Sequence, residues 1–192
     1  MPFIYIVPIG LEDPSFLKPI VDVMVRVFHL NAKVCELPID LASTYDIARN
    51  QYNSSLILLQ LIKNPPSDAL KILGVTEVDL FIPIFTFVFG EAQLDGVGAV
   101  VSLHRLNNRF YGLPEDKKLL IERFIKEALH ELGHTFGSRH CLRPQCVMNF
   151  STYVENIDQK SAEFCSSCQK NIKIKEKLNQ KFIRRIKQKM GF

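Results

Sequence analysis

Residues 130–140 read HELGHTFGSRH, and the spacing of the polar residues in this stretch fixes local geometry before anything else about the chain is considered. His130 and His134 are four apart, so a helix places both rings on one face, where they can share a ligand. Glu131 lies one step round that helix, beside the pair without competing with it. Gly137 comes three residues after His134 and accepts positive φ at no steric cost, so the helix can stop and the chain can turn there. The turn lets His140 approach from another direction. Three imidazoles that converge in this way are the ligand set of a zinc ion, and three protein ligands leave a fourth position open for water, as in catalytic rather than structural zinc sites. His130, His134 and His140 are therefore the expected metal ligands. Glu131 is the expected catalytic residue, placed to take a proton from the activated water. For the short His-Glu-x-x-His motif alone, the competing reading is a helix carrying two surface histidines.

The cysteines add a second metal. Cys141, Cys146, Cys165 and Cys168 form a C-x4-C…C-x2-C array that begins at the residue after His140. The N-terminal MPFIYIVPIG lacks a basic leader and reads as a strand, and the most apolar stretch, residues 80–90, is too short to cross a bilayer. The expected location is the cytoplasm, with no membrane association. Thiols are kept reduced there, so four clustered cysteines suit a closed, tetrahedral, structural zinc; two disulfides are the alternative. Two zinc ions per chain are expected, one catalytic and one structural. Cys35 sits in an apolar, strand-like stretch and reads as a core thiol.

The long histidine motif followed by Met148 resembles the metzincin zinc peptidases. The continuation through Cys141, Cys146 and Cys165-x-x-Cys168 resembles one branch of that clan, the archaemetzincins. So do Leu73-Gly74-Val75-Thr76, Asp79-Leu80, Phe87-Val88-Phe89-Gly90, Ser102-x-x-Arg105-Leu106 and Arg49-Asn50-Gln51-Tyr52; together these cover most of residues 1–170. The resemblance implies an α/β fold with a mixed, mostly parallel twisted sheet, an active-site helix and a small C-terminal part held by zinc. It implies a zinc metallopeptidase hydrolysing peptide bonds with metal-activated water, acting on short peptides, with aminopeptidase-type cleavage known in the family. It implies that Met148 lies in a tight turn beneath the histidines as an apolar floor. Some metzincins carry a tyrosine two residues after that methionine to stabilise the oxyanion. Here Phe150 stands in that place and has no proton to donate; Tyr153 is the nearby phenol that could substitute.

At 192 residues, with 47% hydrophobic and 23% charged residues, the chain has globular composition and fits one domain. That domain is expected over 1–192, with a sheet-and-helix part in 1–136 and a part in 137–192 holding the methionine turn, the cysteine site and a basic helix. Periodicity predicts strands at Phe3–Val7 and Lys33–Leu37, and helices at Asp13–His29 and Tyr45–Lys63. Pro65-Pro66 breaks the second helix and a short helix to Ile72 is predicted to follow, then strands at Val75–Pro83, Thr86–Ala92 and Val97–Leu103, and the active-site helix at Glu115–Phe136. A last helix starts near Ser161 or Gln169 and runs to Lys189, with Ile172, Leu178, Phe182, Ile183, Ile186 and Met190 as an apolar stripe that packs on the body or, as the alternative, against a partner. Residues 169–192 hold nine Lys/Arg against one acid, leaving −4 for the rest of the chain. Four cysteines beside such a helix also describe a zinc-ribbon module for nucleic acid or protein with a non-catalytic metal site. That alternative leaves the His-Glu-x-x-His segment unexplained, so a peptide is the expected partner, nucleic acid is not, and the chain is expected to be a monomer. His104 is expected in a strand near the cleft in a structural role, and His29 at a helix end, where its charge suits the dipole.

Overall fold

Alternation along Phe3–Ile9 (β1) sends Ile4 and Ile6 to one face and Tyr5, Val7 and Ile9 to the other, and both faces are covered. The computed structural model describes residues 2–172. In it β1 joins β2 (Asn31–Val34), β5 (Ala69–Thr76), β7 (Gly90–Ala92) and β8 (Gly98–Ser102) in one five-stranded sheet of order β2-β1-β5-β8-β7. The first four strands are parallel and only the edge strand β7 runs antiparallel. A smaller sheet holds β3 (Tyr45–Asp46), β4 (Gln51–Asn53) and β6 (Leu80–Phe81). The fold is thus α/β with a mixed, mostly parallel sheet, as expected.

Helices α1 (Lys18–Phe28) and α3 (Lys117–Thr135) cover one face, where Met24, Phe28, Phe124 and Leu132 pack on Ile4, Ile6, Leu73 and Val101. Helix α2 (Ser54–Lys63) covers the other, with Ile57 and Leu61 against Val7, Ile72 and Val100. Asp116 caps α3 by accepting from Leu119 N (2.9 Å). Deep in α3, Arg123 forks onto Asp158 through two 2.7 Å bonds and gives Nη1 to Leu106 O. This ties the helix to α4 (Val154–Gln159), an element that the sequence reading did not anticipate.

Other boundaries also differ. The helix expected from Tyr45 begins only at Ser54: Asp46 accepts from Arg49 N, Asn50 takes φ 54, and Asn53 then caps α2 by accepting from Ser55 and Leu56 N–H. The short helix expected up to Ile72 is instead β5. A short apolar run fits a helix or a strand buried on both faces, and parallel pairing with β1 and β8 decides for the strand. The two long strands expected over 75–92 shrink to β6 and β7, with residues 82–89 as loop between them, and the strand expected at Lys33–Leu37 is Asn31–Val34. His104 lies in a single 3-10 turn after β8, not in a strand; His29 ends α1 in the left-handed region at φ 54. The last helix has begun by residue 166 and is helical through 172, with Ile172 buried; Leu178, Phe182, Ile183, Ile186, Met190 and the basic run lie outside the described residues.

Candidate active site

Helix α3 carries His130, Glu131 and His134 to a cleft of about 760 Å³ bordered by residues 82–94 on one side and 150–153 on the other. Its end has the geometry that Gly137 predicts. Gly137 takes φ 84 and donates to His134 O (2.8 Å), while Ser138 N donates to Gly133 O (3.0 Å), the paired bonds of a Schellman turn. The reversed chain delivers His140. One ring nitrogen from each of His130, His134 and His140 falls within 4.8 Å of the others. Ring centroids are 4.7 Å apart for His130–His134, 5.3 Å for His130–His140 and 4.9 Å for His134–His140.

Carbonyls fix the orientation of two rings. Nδ1 of His130 is 2.8 Å from Val147 O, and Nδ1 of His134 is 2.7 Å from Ser138 O. A carbonyl only accepts, so each Nδ1 carries the proton and each Nε2 presents a lone pair. Those two Nε2 atoms are 3.1 Å apart. Burial, reinforced by the charge of Lys160, pushes His130 well below its ordinary pKa, and burial also lowers His134 and His140. Two facing lone pairs on neutral rings repel unless a cation lies between them. Two nitrogens held about 2.0–2.1 Å from a tetrahedral zinc stand roughly 3.3 Å apart, so the donor set fits that ion.

Glu131 is 6% exposed and lines the cleft. Burial lifts its carboxyl well above the ordinary range, helped by the charges of Glu127 and Glu91 and opposed by Lys160. The space it occupies depends on Gly90 in β7: a Cβ there would lie 2.7 Å from both Glu131 Cγ and Val100 O. Met148 is fully buried against Gly133 of α3, where a Cβ would overlap its Sδ. The Phe150 ring lies tilted against His140 with centroids 4.9 Å apart, and Tyr153, 68% exposed, lines the same cleft.

The cysteine array closes up behind the turn. The four sulfurs of Cys141, Cys146, Cys165 and Cys168 lie within 4.8 Å of one another, and all four thiols are free. Sγ of Cys141 and Sγ of Cys165 are 3.9 Å apart, against roughly 3.7 Å for two thiolates on a tetrahedral zinc and about 2.05 Å for a disulfide. Hydrogen bonds led by the backbone N–H of Cys168 pull the Cys165 thiol down to about 6. Cys141 N donates to Met148 O (2.8 Å) and Asn149 Nδ2 to Cys141 O (2.9 Å), so this cluster and the methionine turn are one unit. Cys35 lies apart, against the α2 side of the sheet.

Several residues of the site were not singled out from sequence. Glu127, four before Glu131 on the same helical face, was within reach of the i, i+4 rule; Lys160, paired with it at 2.8 Å, comes from a distant loop and has no local signal. Gly90 and Glu91, and the carbonyls of Val147 and Ser138, are placed by tertiary contact alone. His104 packs on Phe110 and faces Glu77 O at 3.2 Å, away from this cleft.

The sequence model of peptidase family M54 matches residues 17–174. The chain is 43% identical over 189 residues to the archaemetzincin of Pyrococcus furiosus, covering 94% of this chain and 96% of that protein. Against the archaemetzincin of Methanocaldococcus jannaschii it is 40% identical, covering 88% and 92%. The crystal structure of Methanopyrus kandleri archaemetzincin superposes with a TM-score of 0.78 at 32% identity, over 92% of this chain and 96% of that one. The Archaeoglobus fulgidus archaemetzincin, complexed with malonate, gives 0.76 at 36% identity, over 88% and 99%.

Proposed function

Because the chain belongs to peptidase family M54, the archaemetzincins, which are zinc metallopeptidases, we propose that it cleaves short peptides with His130, His134 and His140 as zinc ligands and Glu131 as general base. The observation that carries this reading is the pair of Nε2 lone pairs facing each other at 3.1 Å, with both Nδ1 protons committed to carbonyls. When bound there, zinc supplies a Lewis acid that acidifies a water and polarises the scissile carbonyl. Glu131 accepts the water proton and returns it to the leaving amine. Val147 O and Ser138 O hold the two helical imidazoles in their ligating tautomer. Phe150 packs on His140 and offers no proton; the Tyr153 phenol lines the same wall and is the candidate donor to the oxyanion.

The cysteine cluster is read as a structural zinc site, making two ions per chain. What supports this is four free thiols at tetrahedral spacing, bonded through Cys141 to the methionine turn. The chain is read as one catalytic domain over 1–192 that works as a monomer in the cytoplasm, the compartment where four clustered thiols stay reduced. Among the described residues no helix is long and apolar enough to cross a membrane.

The test is a peptide-library digest by zinc-loaded protein beside Glu131→Gln. Wild type is expected to cleave, and the variant to hold the same zinc while losing turnover by about 10²–10⁴-fold. A fully active variant would remove Glu131 from the reaction.

A further inference from the structure

The cleft wall formed by residues 82–87 is held in place from outside the cleft. Its chain leaves the small sheet at Phe81 and pairs again where Val88 N donates to Leu80 O (2.9 Å). In between, Phe85 N donates to Ile82 O (3.0 Å), while the carbonyls of Pro83, Phe85 and Thr86 are taken by side chains. Arg49 gives Nη1 to Phe85 O (3.1 Å) and Nη2 to Pro83 O (3.4 Å), and its guanidinium lies 4.5 Å from the centre of the buried Phe81 ring. Gln51 gives Nε2 to Thr86 O (3.0 Å) and to Asp79 Oδ2 (2.9 Å). Asp79 is in turn forked by Arg105, whose guanidinium lies 4.1 Å from the Phe87 ring. These four side chains border a second cavity of about 540 Å³ that shares Thr86 with the cleft. None of the four lines the cleft itself, whereas Ile82, Phe85 and Phe87 do.

We propose that Arg49 is a positioning residue for substrate: it clamps residues 83–85 from behind and so sets where Ile82 and Phe85 meet an apolar side chain of the bound peptide. This rests on the peptidase reading above. The clamp suits arginine, because a planar fork can rest on a ring and still give two N–H groups to carbonyls two residues apart, which a lysine ammonium does not reproduce. The loop it holds is otherwise open, with Ile84 80% and Phe85 49% exposed. Once the clamp is removed, water satisfies the two carbonyls and the wall loses its fixed shape. The peptide must then order that wall as it binds, which costs affinity and leaves the chemical step alone. The loss falls on peptides whose side chain uses the wall.

The test measures kcat and KM separately, with zinc-loaded full-length protein and matched peptides carrying Phe or Gly at each position flanking the cleaved bond. For wild type, Phe should give the lower KM at one of these positions. Arg49→Ala loses two exposed, charge-assisted hydrogen bonds; it should raise KM for that Phe peptide by roughly three- to tenfold and leave kcat, and the Gly peptide, within about twofold. Arg49→Lys should fall between the two. Both variants should keep their zinc and their thermal unfolding, because Arg49 is exposed. No Phe preference in wild type, an unchanged KM, an equal loss on the Phe and Gly peptides, or a loss carried by kcat overturns the proposal. Calorimetric binding of the same peptides to Glu131→Gln, with and without Arg49→Ala, reads the clamp without turnover. Binding that weakens with Arg49→Ala, in a protein whose wild type cleaves nothing, would sink the peptidase reading and keep the clamp; cleavage with a KM indifferent to Arg49 would do the reverse.

Discussion

Glu131 occupies a place that suits its chemistry more than the stability of the fold. Its carboxyl is buried against β7, with Glu127 and Glu91 nearby, and its affinity for a proton is raised for that reason. An acid with a raised folded pKa holds its proton over a pH range where the unfolded chain has lost it, so folded stability falls as pH climbs through that range. Metal-free Glu131→Gln should therefore melt higher than metal-free wild type at neutral pH, and the gap should close as pH falls toward the unfolded carboxyl value near about 4. Thermal scans across that range decide it; a variant that melts lower at neutral pH contradicts the burial argument. The opposite face of the same contact gives a second expectation. Gly90→Ala puts a methyl 2.7 Å from Glu131 Cγ and from a backbone oxygen that cannot yield. Displacing the base by a fraction of an ångström should lower kcat by up to about 10²-fold with zinc content unchanged. Of these residues Glu131 was legible in the chain because its partners lie within ten positions. Gly90 was not, because Glu131, the side chain it makes room for, is forty-one residues away and glycine in a strand has several readings.

Helix α3 and the segment that follows it were legible as elements because their signals are local: apolar periodicity, an aspartate cap, a glycine where the turn must be left-handed. Residues 45–76 were not, because polar caps at Asp46 and Asn53 compete with an apolar pattern, and the buried strand β5 reads like a helix until its neighbours are known. Lys71 shows what pairing adds: in that strand its ammonium reaches Gly96 O (2.6 Å) and Thr135 O (2.7 Å), holding the end of α3. The cysteine loop is the element on which the site leans. Cys141 bonds the methionine turn, and Val147 in that turn supplies the carbonyl that orients His130. Cys165→Ser should release one of two zinc ions and destabilise the fold by more than about 4 kcal/mol, the range reached when a structural metal is lost. Metal analysis with denaturant unfolding checks this. Retention of two ions and of stability would show that the four sulfurs do not hold a metal.

Across the whole molecule, the cleft is a seam between the sheet edge and the C-terminal part, and ion pairs outside it hold the seam's walls. Asp79 accepts from Arg105 Nε (2.6 Å) and Nη2 (2.8 Å) and from Gln51 (2.9 Å); burial raises its carboxyl, but these donors and the guanidinium charge outweigh burial and keep it below the ordinary range. The folded chain then stays deprotonated where the unfolded one takes up a proton. The pair's contribution is intact above the unfolded carboxyl value of about 4 and is lost as pH falls through the folded one. Asp79→Asn should lower stability at neutral pH by about 1–3 kcal/mol, with the difference shrinking in acid; urea unfolding at several pH values measures it. The family match spans this whole arrangement, 17–174, and not the histidine segment alone. The central claim is that three imidazoles hold one open-sided metal with Glu131 alongside. Diffraction at the zinc absorption edge from crystals of the zinc-loaded protein tests it most directly. The account predicts an anomalous peak within bonding distance of one nitrogen from each of His130, His134 and His140, with no fourth protein ligand. A peak capped by a fourth side chain, or no peak among these rings, would contradict it.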